Sequence, residues 1–315
     1  MSFFFFIHWG RKKILPPEEK GENSESNEII IIPGAVEITL SSHDIVALNL
    51  DSPVEIKSSL QGIIEQIKTK EGLAILAHPS YLLKPYSRRT LLKLRGYLGM
   101  EIYNPSKIPW PESTRRWDFI LTRKYGERIW GFTSDDMHDL KRDAGRAWVM
   151  VKAERNTLSS IFESLKQGSF YSTTGPLIEE IGSSTDCIQI KIKNPAKFKF
   201  IGYNHQILQV NFGKEAIYRI KPGDKYVRIE IKDLKDKKKA WTQPIFVHEG
   251  RIIYFPYFAK GEWLKGCLHL HTEIDGGTAR LSEVTAWYKK HNYHFLAITE
   301  HNFITHPKYL VKIVP

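Results

Sequence analysis

Cysteine, long apolar runs and low-complexity repeats are all scarce in this sequence. Only Cys187 and Cys267 occur among 315 residues, too few for a disulfide framework and without metal-finger spacing, so a reducing compartment is the default expectation. No apolar run has the length to span a bilayer. The opening segment 1–7 (MSFFFFI) is apolar but short, has no basic residue before it and no small-residue cleavage site after it. It therefore fails as a signal peptide, and a cytoplasmic protein without a membrane partner is expected. Acidic residues are also in deficit: 35 Asp plus Glu face 46 Lys plus Arg, a net charge of +11, which hints at an anionic partner. What is present is enough for a core. With 42% hydrophobic and 26% charged residues, disorder of the whole chain and collagen-like classes are excluded, and the length suits one barrel-sized domain or two ordinary ones.

Residues 11–28 are charged and polar with no hydrophobic period, and read as a linker. Short β-branched or apolar runs at 29–32, 45–50, 73–76, 100–103 and 129–132 then alternate with helical patterns at 52–67, 88–98 and 113–125. The first helix is expected to start on a capping box at Ser52 with Pro53 at its first position. Strand alternating with helix implies a mostly parallel sheet covered by helices. From about residue 146 the texture shifts to closely spaced strands at 188–192, 198–201, 217–220 and 226–231, as in a small antiparallel domain. The basic run 232–239 contains Asp233 and Asp236 and reads as a hairpin tip rather than a nucleic-acid patch. The βα texture returns with strands at 264–270 and 295–299 around a helix at 281–288.

His269 and His271 lie two apart on a strand, so both imidazoles share one face and can share a metal ion. Glu300, His301, Glu37, His43, His78, Asp136 and His138 also follow the ends of expected strands. In a parallel barrel such ends converge on one active face, and a shared metal centre explains so many ligand-type residues there better than separate burial of each. Trp148, Trp241 and Tyr171 read as core aromatics rather than a base-stacking platform.

At this point a family resemblance emerges. CLHLHT (267–272) with Asp275, AITEHN (297–302), PGAVE (33–37), AHP (77–79), MEIYN (100–104) and SDDMH (134–138) resemble the successive motifs of the PHP (polymerase and histidinol phosphatase) superfamily, most of all its CehA-like branch. GSFYSTTGP (168–176) and AWTQPI (240–245) resemble the β-rich region that follows the barrel there. The resemblance implies a distorted TIM-like (β/α)7 barrel with a small antiparallel β-rich domain. It divides the chain into an N-terminal extension (1–28), the later barrel motifs (29–145), the β-rich domain (146–250) and the first barrel motifs (251–315).

It further implies two or three divalent ions (Zn, Mn or Fe). His269, His271 and Asp136 would hold the first with Glu37 bridging; His301, His138 and Asp275 the second; Glu37, His43 and His78 the third. A metal-bound hydroxide, with His301 and Asp136, would hydrolyse a small anionic phosphate ester, with Arg146 and Lys84 as candidate phosphate contacts. Amide, carbamate or carboxylic-ester hydrolysis on the same ions is the alternative, and a metal-stabilised binding module the non-enzymatic one. Nucleic acid is disfavoured as a partner without being ruled out.

The chain departs from the family pattern in three ways. His271 to Asp275 is one residue shorter than usual, Glu300 stands where Asp is usual, and the HxHT and TDHN motifs close the chain instead of opening it. A circular permutant that completes its own site is the favoured reading of that order. A unit of a tandem protein that completes its site between chains, as a swapped homo-oligomer, and an imperfect reading frame are the alternatives.

Overall fold

A computed structural model describes residues 28–56 and 58–304. The expected extension and linker before residue 28, His8 and His306 lie outside the described residues. In chain order the first part comprises β1 (Ile30–Ile31), β2 (Val36–Thr39), β3 (Asp44–Leu48), α1 (Leu60–Thr69), β4 (Leu73–Leu76), α2 (Arg88–Lys93), β5 (Gly99–Tyr103), α3 (Thr114–Arg123) and β6 (Trp130–Thr133). Strands β2 to β6 form a five-stranded sheet in that order. α1 buries Ile63, Ile64 and Ile67, at the helical spacing read from the sequence, but begins at Leu60 with the Ser59 hydroxyl accepting from the Gly62 N–H. The expected Ser52 cap is not used.

The chain continues through β7 (Trp148–Ala153), α4 (Leu158–Gln167), β8 (Phe170–Thr173), β9 (Ile178–Ser183), β10 (Cys187–Ile201), β11 (Ile207–Arg219), β12 (Tyr226–Asp233), β13 (Lys239–Thr242), β14 (Ile245–His248), β15 (Arg251–Tyr254), β16 (Glu262–Cys267), α5 (Leu281–Lys290) and β17 (Phe295–Leu296). Twelve strands make one sheet, along the path β1-β17-β16-β7-β8-β13-β12-β10-β11 with β9, β14 and β15 beside it. The two short strands expected at 188–192 and 198–201 are one long β10, which keeps its pairing with β11 through a register shift between Lys191 and Ala196.

The expected (β/α)7 barrel is not what forms. No sheet closes on itself, and strands outnumber the five α-helices of the described residues more than threefold. Pairing explains why. β2 and β3 are joined by a tight turn in which the Leu40 N–H donates to the His43 carbonyl (3.0 Å), and they pair antiparallel, as do β3 with β4 and β16 with β7. Parallel pairing needs a crossover. Among the described strands it occurs only between β4 and β5, β5 and β6, β16 and β17, and β1 and β17. The alternation that suggested a mostly parallel sheet is thus real only locally, and β2 (VEIT) is not among the expected strands, its apolar run being interrupted by Glu37.

A buried ion pair ties helix α3 to the large sheet. Asp118 takes two hydrogen bonds from the Arg228 guanidinium of β12 (2.7 and 2.6 Å), one from Tyr226 (3.3 Å) and a contact from His205. Burial alone would push the Asp118 carboxyl up, but Arg228 outweighs it and holds it below the usual range.

Candidate metal centre

Two single-residue bridges join the sheets and build the site. Beyond β17 the chain runs beside β2, with the Glu37 N–H donating to the Glu300 carbonyl (3.2 Å) and the Asn302 N–H to the Glu37 carbonyl (2.8 Å). Beyond β6 it runs beside the extension of β16, with the Asp136 N–H donating to the His269 carbonyl (2.9 Å) and the His271 N–H to the Met137 carbonyl (2.8 Å). Residues from both parts of the chain therefore meet within one molecule. His78 and Asp136 have φ of 29° and 47°, left-handed values that are costly outside glycine and that concentrate at functional sites.

Glu37 is the hub. Its Oε2 lies 3.2 Å from His269 Nε2, 3.3 Å from His271 Nε2 and 3.1 Å from His301 Nε2, while its Oε1 lies 3.1 Å from His78 Nε2. Asp136 Oδ1 lies 3.4 Å from both His269 Nε2 and His271 Nε2. Three overlapping sets have ligand-type atoms within 4.8 Å of one another: Glu37, Asp136, His269 and His271; His138, His271 and His301; and Glu37, Asp44 and His78.

The first set passes a chemical test for a cation. Glu37 Oε2, Asp136 Oδ1, His269 Nε2 and His271 Nε2 are buried and without hydrogen-bond partners. Buried polar atoms are almost always paired, so four orphans facing one another demand an explanation. The surroundings sharpen it. His269 Nδ1 faces Glu101 Oε1 at 2.9 Å, His301 Nδ1 faces Asp275 Oδ2 at 2.8 Å, and His138 Nδ1 faces the Asp136 carbonyl at 3.0 Å. All three partners accept only, so each ring donates through Nδ1, and in its neutral, metal-binding form each turns a bare Nε2 lone pair outward. Lone pairs aimed at carboxylate oxygens repel unless a cation lies between them, and this carboxylate-histidine pairing is what orients metal ligands. The cluster fits divalent-metal binding.

The charges agree. Burial alone would raise the carboxyls of Glu37 and Asp136, yet the adjacent His269 and its neighbours hold both well below the usual range. Burial alone would lower His269, yet Asp136, Glu37 and Glu101 raise it well above the usual imidazole value.

Some sequence-expected residues take other places. His43 is in none of the three sets: it hydrogen-bonds Ser42 (2.7 Å) and rests edge-on against Tyr86, while its neighbour Asp44, at the start of β3, faces inward. Asp275 sits behind His301, accepting from its N–H (2.6 Å) and its ring; Gly276, at φ 82°, lets the chain turn there. Glu300 accepts from the Thr272 N–H (3.1 Å) and hydroxyl and lies 3.9 Å from His271 Nδ1. Lys84 reaches Asp44 (2.8 Å), and Arg146 is exposed, 4.0 Å from Asp143.

Sequence reasoning gave no role to three contributors. Glu101 accepts from the His78 N–H (2.7 Å), Asn104 (2.9 Å), the Ser134 hydroxyl and His269. Asn104 also donates to Asp136 Oδ2 (3.1 Å), and Lys107 Nζ approaches the same oxygen at 2.6 Å. Glu101 and Asn104 stand in a quoted motif, so a signal existed; Lys107 sits in an irregular loop and had none.

No protein-family model matches the sequence, and no curated protein matches it. Among solved structures, it is similar to a two-domain Bacteroides vulgatus protein containing a predicted PHP-like metal-dependent phosphoesterase, at 15% identity over 72% of this chain and 74% of that one, with a TM-score of 0.35. A superposition that loose carries no argument, so the functional reading rests on the site itself. Among the described residues no helix is long and apolar enough to cross a membrane.

Proposed function

We propose that the protein is a metal-dependent phosphoesterase of PHP type, hydrolysing a small anionic phosphate ester at the Glu37, Asp136, His269 and His271 cluster. The observation that carries this is the set of four buried, unpartnered donor atoms converging there. One ion would be held by those four, with Glu37 shared toward His78 and Asp44, and His138 with His301 serving a further ion; Zn, Mn and Fe all suit such donors. A bound divalent ion supplies polarisation of a phosphoryl oxygen and acidification of water.

The chain's own groups then have defined work. Glu101 and Asp275 keep His269 and His301 oriented, Glu300 braces the Thr272 turn beside His271, and Lys107 offsets the charge of Asp136. Water adds its oxygen to phosphorus as the ester oxygen leaves with a proton. With His301 Nδ1 engaged by Asp275 and Nε2 given to the further ion, that proton comes from solvent water. Lys84 and Arg146 are assigned to the anion on approach. The motif order is read as circularly permuted, an arrangement supported by the meeting of His269, His271 and His301 with Glu37 and Asp136 inside one chain.

The test is metal analysis of purified protein alongside hydrolysis of an aryl phosphate, with His271→Ala as control. Stoichiometric Zn, Mn or Fe and turnover are expected in the wild type, with both lost in the variant. A metal-free wild type, or a variant that keeps full metal and activity, refutes the assignment.

A further inference from the structure

A cleft of about 370 Å³ is lined in part by residues whose backbone, or whose immediate neighbours, hydrogen-bond to Asp135 and Asp136. One side is formed by Gly145 and Arg146, whose N–H groups both donate to the Asp135 carboxylate at 2.7 Å. Another is the turn at Pro105, between Asn104, which donates to Asp136, and Ser106, whose hydroxyl donates to the carbonyls of Asp135 (2.9 Å) and Asp136 (3.0 Å). The wall is thus fixed to the metal centre through hydrogen bonds.

A further wall is the β12–β13 hairpin tip, the basic run read from the sequence as a hairpin tip rather than a nucleic-acid patch. Lys237, Lys238 and Lys239 line the cleft with Asp236. The tip is braced, with Asp233 Oδ1 accepting from the Lys235 and Asp236 N–H groups (2.7 and 3.2 Å). Lys239 is paired with Glu112 (2.7 Å) and Lys238 approaches Asp236 at 3.6 Å, while the Lys237 ammonium meets only the Leu234 carbonyl among the groups near it (2.8 Å). With Arg146, four cations line this space against one carboxylate. An excess of one sign of charge around a cleft focuses potential and concentrates counter-ions. Its volume is that of a small-molecule site.

We propose that this cleft holds a second anionic group of the substrate, making the substrate class doubly anionic esters, with one phosphoryl group at the metal centre and a phosphate or carboxylate farther along the molecule. This rests on the hydrolase reading above, so its first test does not need turnover. Inorganic tripolyphosphate is titrated calorimetrically into metal-stripped protein. Binding that weakens with salt is expected, and Lys237→Gln with Lys238→Gln should weaken it at least about tenfold, as befits losing two charge-assisted contacts. Both side chains are exposed, so folding is not at stake.

In metal-loaded enzyme the double variant should lower kcat/KM for an alkanediol bisphosphate by a similar factor while leaving phenyl phosphate within about twofold. Undiminished tripolyphosphate binding in the variant overturns the proposal. So does an equal loss on both esters, or an oligonucleotide that binds more tightly than tripolyphosphate. If tripolyphosphate binds as expected but no ester is turned over, the cleft stands and the hydrolase reading falls.

Discussion

Glu37→Gln tests the centre at its hub. The substitution keeps the size of the side chain but removes its charge and turns one oxygen into an amide nitrogen. Since Oε2 faces three imidazoles and Oε1 faces His78, any orientation of the amide deprives one side of a donor and leaves the other a neutral one. Loss of an outer-shell partner alone costs ten- to hundredfold in metal affinity, so about a hundredfold is a floor here. At a free metal concentration of 100 Kd, binding stabilises the wild type by about 2.7 kcal/mol; the same concentration gives a hundredfold weaker site about 0.4 kcal/mol. Taking roughly 2.1 cal/mol/K of unfolding entropy per residue over 315 residues, those figures correspond to rises in Tm of about 4 °C and about 0.6 °C. The assay is differential scanning calorimetry of each protein with chelator and with metal. Comparing shifts cancels any change the substitution makes to the metal-free protein. A variant that keeps the wild-type shift, or a wild type that shows none with Zn, Mn or Fe, refutes the reasoning.

Three further outcomes are expected. Glu101→Gln, which loosens the anchor of His269 Nδ1, should weaken metal binding by about ten- to hundredfold in equilibrium dialysis; unchanged affinity would show that His269 needs no anchor. Arg228→Met leaves Asp118 buried without its main partner and should cost about 3–5 kcal/mol in urea unfolding at neutral pH. In the wild type the depressed Asp118 pKa contributes stability above its unfolded value and loses it as pH falls through the folded one, whereas in the variant a protonated Asp118 is the better buried form. The deficit should therefore narrow below about pH 4, and a pH-independent deficit would contradict this account. Finally, because Glu37 and Asp136 meet His269, His271 and His301 within one chain, metal content and specific activity should survive dilution; loss of both on dilution to a monomer would point to a site shared between chains.

Much of the site was legible because its chemistry is local. An HxH pair on a strand end, or SDDMH after another, announces itself in a few residues, and the residues so marked converge. The choice between His43 and Asp44 was not legible: it depends on the single-residue phase with which β3 begins, set by the turn from β2 and by Tyr86 packing on His43. The global architecture was harder still. Alternating strand and helix patterns are the same whether β3 and β4 pair parallel or antiparallel, and nothing local in β16 declares that its neighbour is β7. Long-range pairing is decided by which edges bury most apolar surface together, a property of the whole chain.

The bridge between β2 and the tail beyond β17 also bears on how the molecule comes into being. Thr39 donates its N–H to the side chain of Asn302 (2.8 Å), 263 positions later in the chain. On a ribosome adding about 5–20 residues per second, roughly 13–50 seconds separate the emergence of these two partners. Through that interval β2 stands as an open sheet edge, and Glu37 and Asp136 wait without His269, His271 and His301. Such an edge invites pairing with other chains. Vectorial synthesis thus makes the nascent protein most vulnerable at the place where the metal-ligand cluster is later assembled, and the segment 269–302 acts as the stopper that closes both.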